Sequence, residues 1–128
     1  MAMKRGLLLF AHGARDPRWA APFDEVARRV RLAGPDVAVQ LAFLEFMTPS
    51  LHVAGRDLVA SGCMRVAVVP LFLGAGGHVR KDLPALLAAL AEEFPAVRWS
   101  LQPAIGECDG VIEAMARAAV LSPHEPPA

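Results

Sequence analysis

The segment Arg65 to Pro84, RVAVVPLFLGAGGHVRKDLP, restricts the fold of this chain more than any other. It opens with the β-branched apolar run Val66 to Val69 and continues through Leu71, Phe72 and Leu73 before breaking into Gly74-Ala75-Gly76-Gly77. Leu83, Leu86, Leu87 and Leu90 then recur at helical spacing. A buried run, a glycine turn and an amphipathic stretch together make a strand–turn–helix unit. His78 stands at the junction, at the carboxyl end of the strand, where open α/β sheets place their chemistry. The plain alternative is a tight turn that His78 merely caps.

The remaining chain repeats this unit. Leu7 to Ala11 is a fully apolar run, expected for a strand buried on both faces, and it ends at His12-Gly13. Asp16-Pro17 is a helix start, with Trp19, Phe23, Val26, Ala27 and Val30 at helical spacing and Gly34-Pro35 as the stop. A second strand, Val37 to Leu44, ends at Glu45. Thr48-Pro49 then opens a helix whose buried side is Leu51, Leu58 and Val59, and Ser61-Gly62 closes it. The helix of the third unit stops at Phe94-Pro95. Val97, Trp99 and Leu101 alternate with Arg98 and Ser100, the pattern of a less buried edge strand. A last helix, about Glu107 to Leu121, is expected to bury Val111, Ile112, Met115 and Ala119. The order βαβαβαβα with right-handed crossovers predicts a three-layer α/β domain around a parallel four-stranded sheet. Residues 1–121 form one domain, and 122–128, SPHEPPA, a proline-rich tail.

A chain of 128 residues that is 55% apolar is one domain with a real core rather than a disordered segment. Thirteen basic and thirteen acidic residues leave no net charge, which argues against a nucleic-acid or membrane partner. The apolar runs are too short to span a bilayer, and MAMKRGLLLFAHG runs into His12-Gly13 without a small-residue cleavage site, so the expected location is cytoplasmic. Cys63 and Cys108 form no CxxC pair and read as passive, reduced thiols.

Three side chains of metal-ligand type follow three successive strands: His12, Glu45 and His78. All carboxyl ends of a parallel sheet lie on one rim, and a central first strand brings the three within reach of one atom. Two imidazoles and a carboxylate suit cobalt(II), iron(II), nickel(II) or zinc(II) with open coordination positions, and the imidazoles are equally suited to accept protons. His52 and His124 align with no strand end and read as surface residues. Gly74 to Gly77 lacks the spacing and the lysine of a nucleotide loop, but its amides at a helix start suit a carboxylate. Arg15, Arg18, Arg80 and Lys81 lie near the two glycine turns and offer positive charge to an anionic small molecule. His12-Gly13 lacks the preceding arginine of histidine phosphatases, since Ala11 stands there.

LLLFAHGARDP, FLEFMTPSL and VVPLFLGAGGHVRKDLP, in this order, resemble the small single-domain CbiX-type sirohydrochlorin chelatases of the class II chelatase family over roughly residues 7 to 120. The resemblance implies a flavodoxin-like sheet and a lyase that inserts cobalt or iron into sirohydrochlorin on the routes to cobalamin and siroheme. It implies His12 and His78 as active-site histidines and Glu45 as the carboxylate joining them around the metal. It implies a homodimer, with the divalent metal as co-substrate, nickel or zinc as in vitro substitutes, and no organic cofactor. Arg15, Gly76, Gly77 and Arg80 are the expected substrate contacts, with Arg18 and Lys81 as further candidates. Ala14 departs from the His-Gly-Ser of many members. The competing expectations are a non-catalytic metal or tetrapyrrole carrier and a silent half that only dimerises.

Overall fold

The computed structural model describes residues 4–74 and 76–122, with the side chains of residues 77, 78 and 80 outside the described set. Strands β1 (Arg5–Ala11), β2 (Val37–Phe43), β3 (Arg65–Pro70) and β4 (Arg98–Leu101) pair in the order β2-β1-β3-β4, all parallel. This is the flavodoxin-like strand order, whose switch point lies beside β1. Flanked on both sides, β1 carries the run Leu8 to Ala11, all of it buried. Edge strand β4 has no buried residue, as its alternation with Arg98 and Ser100 predicts.

Side chains alternate between two faces. Leu8, Phe10, Val66 and Val68 point to α2 (Leu51–Ala60) and α3 (Gly77–Glu93), where Leu51, Leu58, Leu83 and Leu90 complete the larger core. Leu9, Ala11, Val39, Leu41 and Phe43 point to α1 (Ala21–Ala33), where Ala27 joins a smaller cluster that Trp19, Phe23 and Val30 pack against. Each fully buried Leu or Val contributes roughly 1.5–3 kcal/mol.

Several boundaries differ from those expected. Asp16-Pro17 opens a 3-10 turn, Pro17–Ala20, and only then α1; Asp16 Oδ1 accepts from the Arg18 amide, and Val26 is exposed. Thr48-Pro49 lies ahead of α2 rather than starting it. The Pro49 carbonyl accepts from the Phe43 amide at the end of β2, and the cap is Ser50, whose Oγ accepts from the Val53 amide. Gly34 and Gly62 close α1 and α2 as expected, Gly62 at φ +98°. The last helix, α4 (Asp109–Leu121), follows a 3-10 turn, Ile105–Glu107, and buries nothing: Val111 is half-buried, whereas Ile112, Met115 and Ala119 are exposed. Periodicity identifies an apolar helix face without supplying the surface that covers it.

Among the described residues no helix is long and apolar enough to cross a membrane. Cys63 is buried in the larger core, Cys108 is exposed ahead of α4, and both are free. Except for Ser122, the expected tail, with His124, lies outside the described residues.

Candidate metal centre at the carboxyl rim of the sheet

Parallel pairing sets Ala11 opposite Phe43, so β1 and β2 end level with each other. The ladder runs on past both strands: Leu44 N–H donates to the Ala11 carbonyl at 2.9 Å and Glu45 N–H to the His12 carbonyl at 3.1 Å. The backbones of His12 and Glu45 are thereby fixed side by side. Their side chains meet, His12 Nε2 to Glu45 Oε1 at 3.0 Å, each about half exposed at 47% and 49%. Two groups 33 residues apart in sequence thus form one pair at the rim, open to solvent.

Gly13 makes that approach feasible. Its φ is +93°, and a Cβ there would stand 1.9 Å from the Glu45 carbonyl oxygen. Only glycine combines the left-handed backbone with that clearance.

The third strand reaches the same rim. Leu71 N–H donates to the Phe10 carbonyl at 2.7 Å and carries the chain past Pro70 to Phe72. The Phe72 ring lies edge-on to Phe10 and to His12, with centroids 6.0 and 6.2 Å apart, and so walls the imidazole on its β3 side. In the sequence Phe72 reads only as part of an apolar run; its place just beyond β3, level with the other strand ends, is the signal that marks it. Phe72 also lines an apolar cavity of about 200 Å³ with Val79, Leu83, Leu101, Ala104 and Glu107.

His78 is the second residue of α3, at the start of the helix that leaves this rim, and its side chain lies outside the described set. Among the described residues no three His, Cys, Asp or Glu side chains gather. The observed part of the expected triad is therefore the His12–Glu45 pair.

Of the expected substrate contacts, Gly76 is the N-cap of α3 and Gly77 its first residue, and no side chain caps the helix. Arg80 lies in the first turn with its side chain outside the described set, and Lys81 is exposed. Arg15, two residues after Gly13, lays its guanidinium over the Phe46 ring, 4.9 Å from the centroid. Phe46, next to Glu45, has φ +65° and is 58% exposed. These two residues border a cavity of about 430 Å³ beside the His12–Glu45 pair, with Ala14, Asp24, Met47 and Thr48. Arg18 is the exception. It chelates Asp16, Nη2 to Oδ2 at 2.9 Å and Nε to Oδ1 at 3.2 Å, so its charge is already engaged. The Arg18 side chain, helped by its amide, holds the Asp16 carboxyl below the usual carboxylate range, and Asp16 in turn raises the Arg18 guanidinium. His52, expected as a plain surface residue, is exposed and bonds Glu93 at 2.5 Å between α2 and α3.

The spacing of the pair matches a shared cation. With bonds of about 2.1 Å to an imidazole nitrogen and a carboxylate oxygen, donors 3.0 Å apart subtend an angle of about 90° at the ion. That is the angle between neighbouring ligands of a six-coordinate ion, with the outward positions free for further donors. The same imidazole is also of the chemical type that serves as a general base.

The family model described as CbiX matches residues 6–120. The chain belongs to the CbiX family. Among its relatives, the sirohydrochlorin cobaltochelatase of Methanosarcina acetivorans is 32% identical over 88 residues, 69% of this chain and 68% of that one. Among solved structures, a CbiX protein of cobalamin biosynthesis from Marinobacter aquaeolei superposes with a TM-score of 0.79 at 32% identity, covering 91% of this chain and 94% of that one. SirB from Bacillus subtilis with Fe3+ gives a TM-score of 0.79 at 26% identity, and there 96% of this chain covers 50% of that one. A CbiX-family chain of 128 residues thus spans half the length of SirB.

Proposed function

We propose that this CbiX-family chain is a sirohydrochlorin chelatase, a lyase that inserts cobalt or iron into the tetrapyrrole for cobalamin or siroheme synthesis. The carrying observation is the His12–Glu45 pair at the carboxyl rim, two ligand-type groups held 3.0 Å apart by paired backbones. Relatives named for cobalt insertion and a structural neighbour with Fe3+ support both metals as substrates. His78, at the start of α3, is the third ligand of the reading, and no organic cofactor belongs to it. The enzyme works in the cytoplasm as a homodimer, a second copy standing where SirB carries its second half within one chain.

Insertion removes two protons from pyrrole nitrogens while the hydrated ion sheds water. Glu45 and His12 hold the ion; as the pyrrole nitrogens displace them from the metal, the released His12 imidazole takes one proton and water at the open rim takes the other. Holding ion and macrocycle at one rim converts their encounter into a positioned reaction. Arg15, the amides of Gly76 and Gly77, and Arg80 receive the substrate carboxylates. Arginine suits that task through its bidentate fork.

The test is incubation with sirohydrochlorin and each divalent ion, followed by absorbance. His12→Ala should slow insertion by roughly 10²–10⁴-fold, the usual contribution of a positioned proton acceptor, with an unchanged circular dichroism spectrum. Saturable tetrapyrrole binding with no spectral change on adding metal would make the protein a carrier instead. Full activity in His12→Ala would remove that residue from the chemistry.

A further inference from the structure

Among the described residues Phe46 alone, apart from glycines, has a positive φ. The cause is a turn that starts at the metal pair. Met47 N–H donates to the Glu45 carbonyl at 2.8 Å, and with φ +65° at Phe46 this is the γ turn that is both rare and strained. A side chain with a Cβ resists this backbone, and burial does not compensate, since the ring is 58% exposed. The turn cannot drift, because the amides of Leu44 and Glu45 just ahead of it are tied to the carbonyls of Ala11 and His12. Strain that survives in a folded chain concentrates where it serves a site.

What the outward ring meets is Arg15, whose guanidinium lies 4.9 Å from its centroid. Arg15 is exposed, and among the described residues no carboxylate or carbonyl bonds it. Asp24, the acidic residue in the lining of the cavity that Arg15 and Phe46 border, makes no ion pair with it. Arg18 is the contrast, its fork already closed on Asp16. Stacking and hydrogen bonding use different parts of a guanidinium. The flat face takes the π cloud, while the N–H donors lie in the plane and point outward. A stacked arginine therefore keeps its donors for an incoming carboxylate, and part of the side-chain freedom that binding would remove is already gone.

We propose that Phe46 is a positioning residue for the substrate: its ring, turned outward by the γ turn after Glu45, holds the Arg15 guanidinium flat with its N–H edge free to clasp a peripheral carboxylate of the tetrapyrrole. The ring acts through Arg15, not on the reacting atoms. Because the turn begins at Glu45, the metal ligand and the carboxylate anchor belong to one frame, so a macrocycle held by Arg15 has its nitrogens referred to the His12–Glu45 pair. This role rests on the chelatase reading and adds to it the element that fixes its substrate anchor. A relaxed backbone at position 46 would leave Arg15 unsupported in solvent.

The experiment compares the full-length wild type with Phe46→Asn, Phe46→Tyr, Arg15→Ala and the double variant Arg15→Ala with Phe46→Asn. Two quantities are read: the dissociation constant for metal-free sirohydrochlorin, by absorbance titration, and the split between kcat and KM for cobalt insertion. Phe46→Asn should raise the dissociation constant and KM by roughly 2–5-fold, the worth of an exposed cation–π contact, with the effect falling on KM and not on kcat. Phe46→Tyr, which keeps the ring, should restore both. Arg15→Ala should cost at least about 10-fold, and in its background Phe46→Asn should add nothing. An unchanged dissociation constant in Phe46→Asn, losses that add in the double variant, or a fall in kcat at constant KM would overturn the role. Binding and insertion separate the two ideas. A wild type that inserts metal while Phe46→Asn binds normally keeps the chelatase and sinks the role of Phe46. A wild type that binds without inserting sinks the chelatase, and the binding cycle still decides whether Phe46 acts through Arg15. A wild type that does not bind the tetrapyrrole sinks both.

Discussion

Two residues beside the His12–Glu45 pair hold backbone conformations that side chains resist, with opposite consequences. Gly13→Ala would force a Cβ to within 1.9 Å of the Glu45 carbonyl oxygen at φ +93°. The loss of stability should exceed the roughly 1–2 kcal/mol that a left-handed Cβ alone costs, and the displaced strand ends should part His12 from Glu45. Thermal unfolding and metal titration of the variant would both register the change; unaltered metal affinity would show that the clearance is not what aligns the pair. Phe46 has φ +65° with an exposed ring, so here the strain is retained without burial to justify it. Phe46→Asn should raise unfolding stability by about 0.5–1 kcal/mol, since Asn tolerates this region, while Arg15 loses its stacking partner. A lower melting temperature would mean that the ring packs more than its exposure indicates. The pair itself could be read from sequence, because parallel topology sends the ends of neighbouring strands to one rim. Phe46 could not, for a positive φ leaves no trace in the identity of a phenylalanine.

Elements were readable where pattern alone decides them and obscure where neighbours decide. Strand β1 follows from Leu7 to Ala11, and edge strand β4 from its alternation. The start of α2 did not follow, because Thr48 and Ser50 are near-equal caps two residues apart, and only the tie between the Phe43 amide and the Pro49 carbonyl chooses between them. On α1, Glu25 gathers Arg28 and Arg29, with Nη2 of Arg28 at 2.6 Å and Nε of Arg29 at 2.9 Å. The Arg28 hydrogen bonds first, then Arg29, hold the Glu25 carboxyl down at about 2, against 4.5 when unperturbed. A depressed folded-state value stabilises the fold above the unfolded-state value, and that contribution fades as pH falls from 4.5 towards 2. Glu25→Gln should therefore lower the melting temperature slightly at pH 7 and flatten its decline across that acid window. The effect is small because the cluster is solvated. Identical acid slopes for both proteins would show that the two bonds do not persist in solution.

Among the described residues the sheet is unevenly covered: one face carries two helices and the larger core, while the other carries one helix and an open strip. The apolar face of α4 and that strip are complementary, and each copy has one of each. If the second copy of the proposed homodimer supplies the missing cover, part of the stability of each chain belongs to its partner, and unfolding becomes a two-molecule equilibrium governed by mass action. Unfolding entropy of about 2.1 cal/mol/K per residue gives roughly 0.5 kcal/mol/K for two such chains. Tenfold dilution weakens a dimer by about 1.4 kcal/mol, so the melting temperature should fall by about 2–3 °C for each tenfold dilution. Calorimetry across two decades of concentration measures this directly. Chains carrying Ile112→Asp and Met115→Asp should melt lower and independently of concentration. A wild-type melting temperature that ignores dilution would mean that each copy stands alone, with α4 left bare.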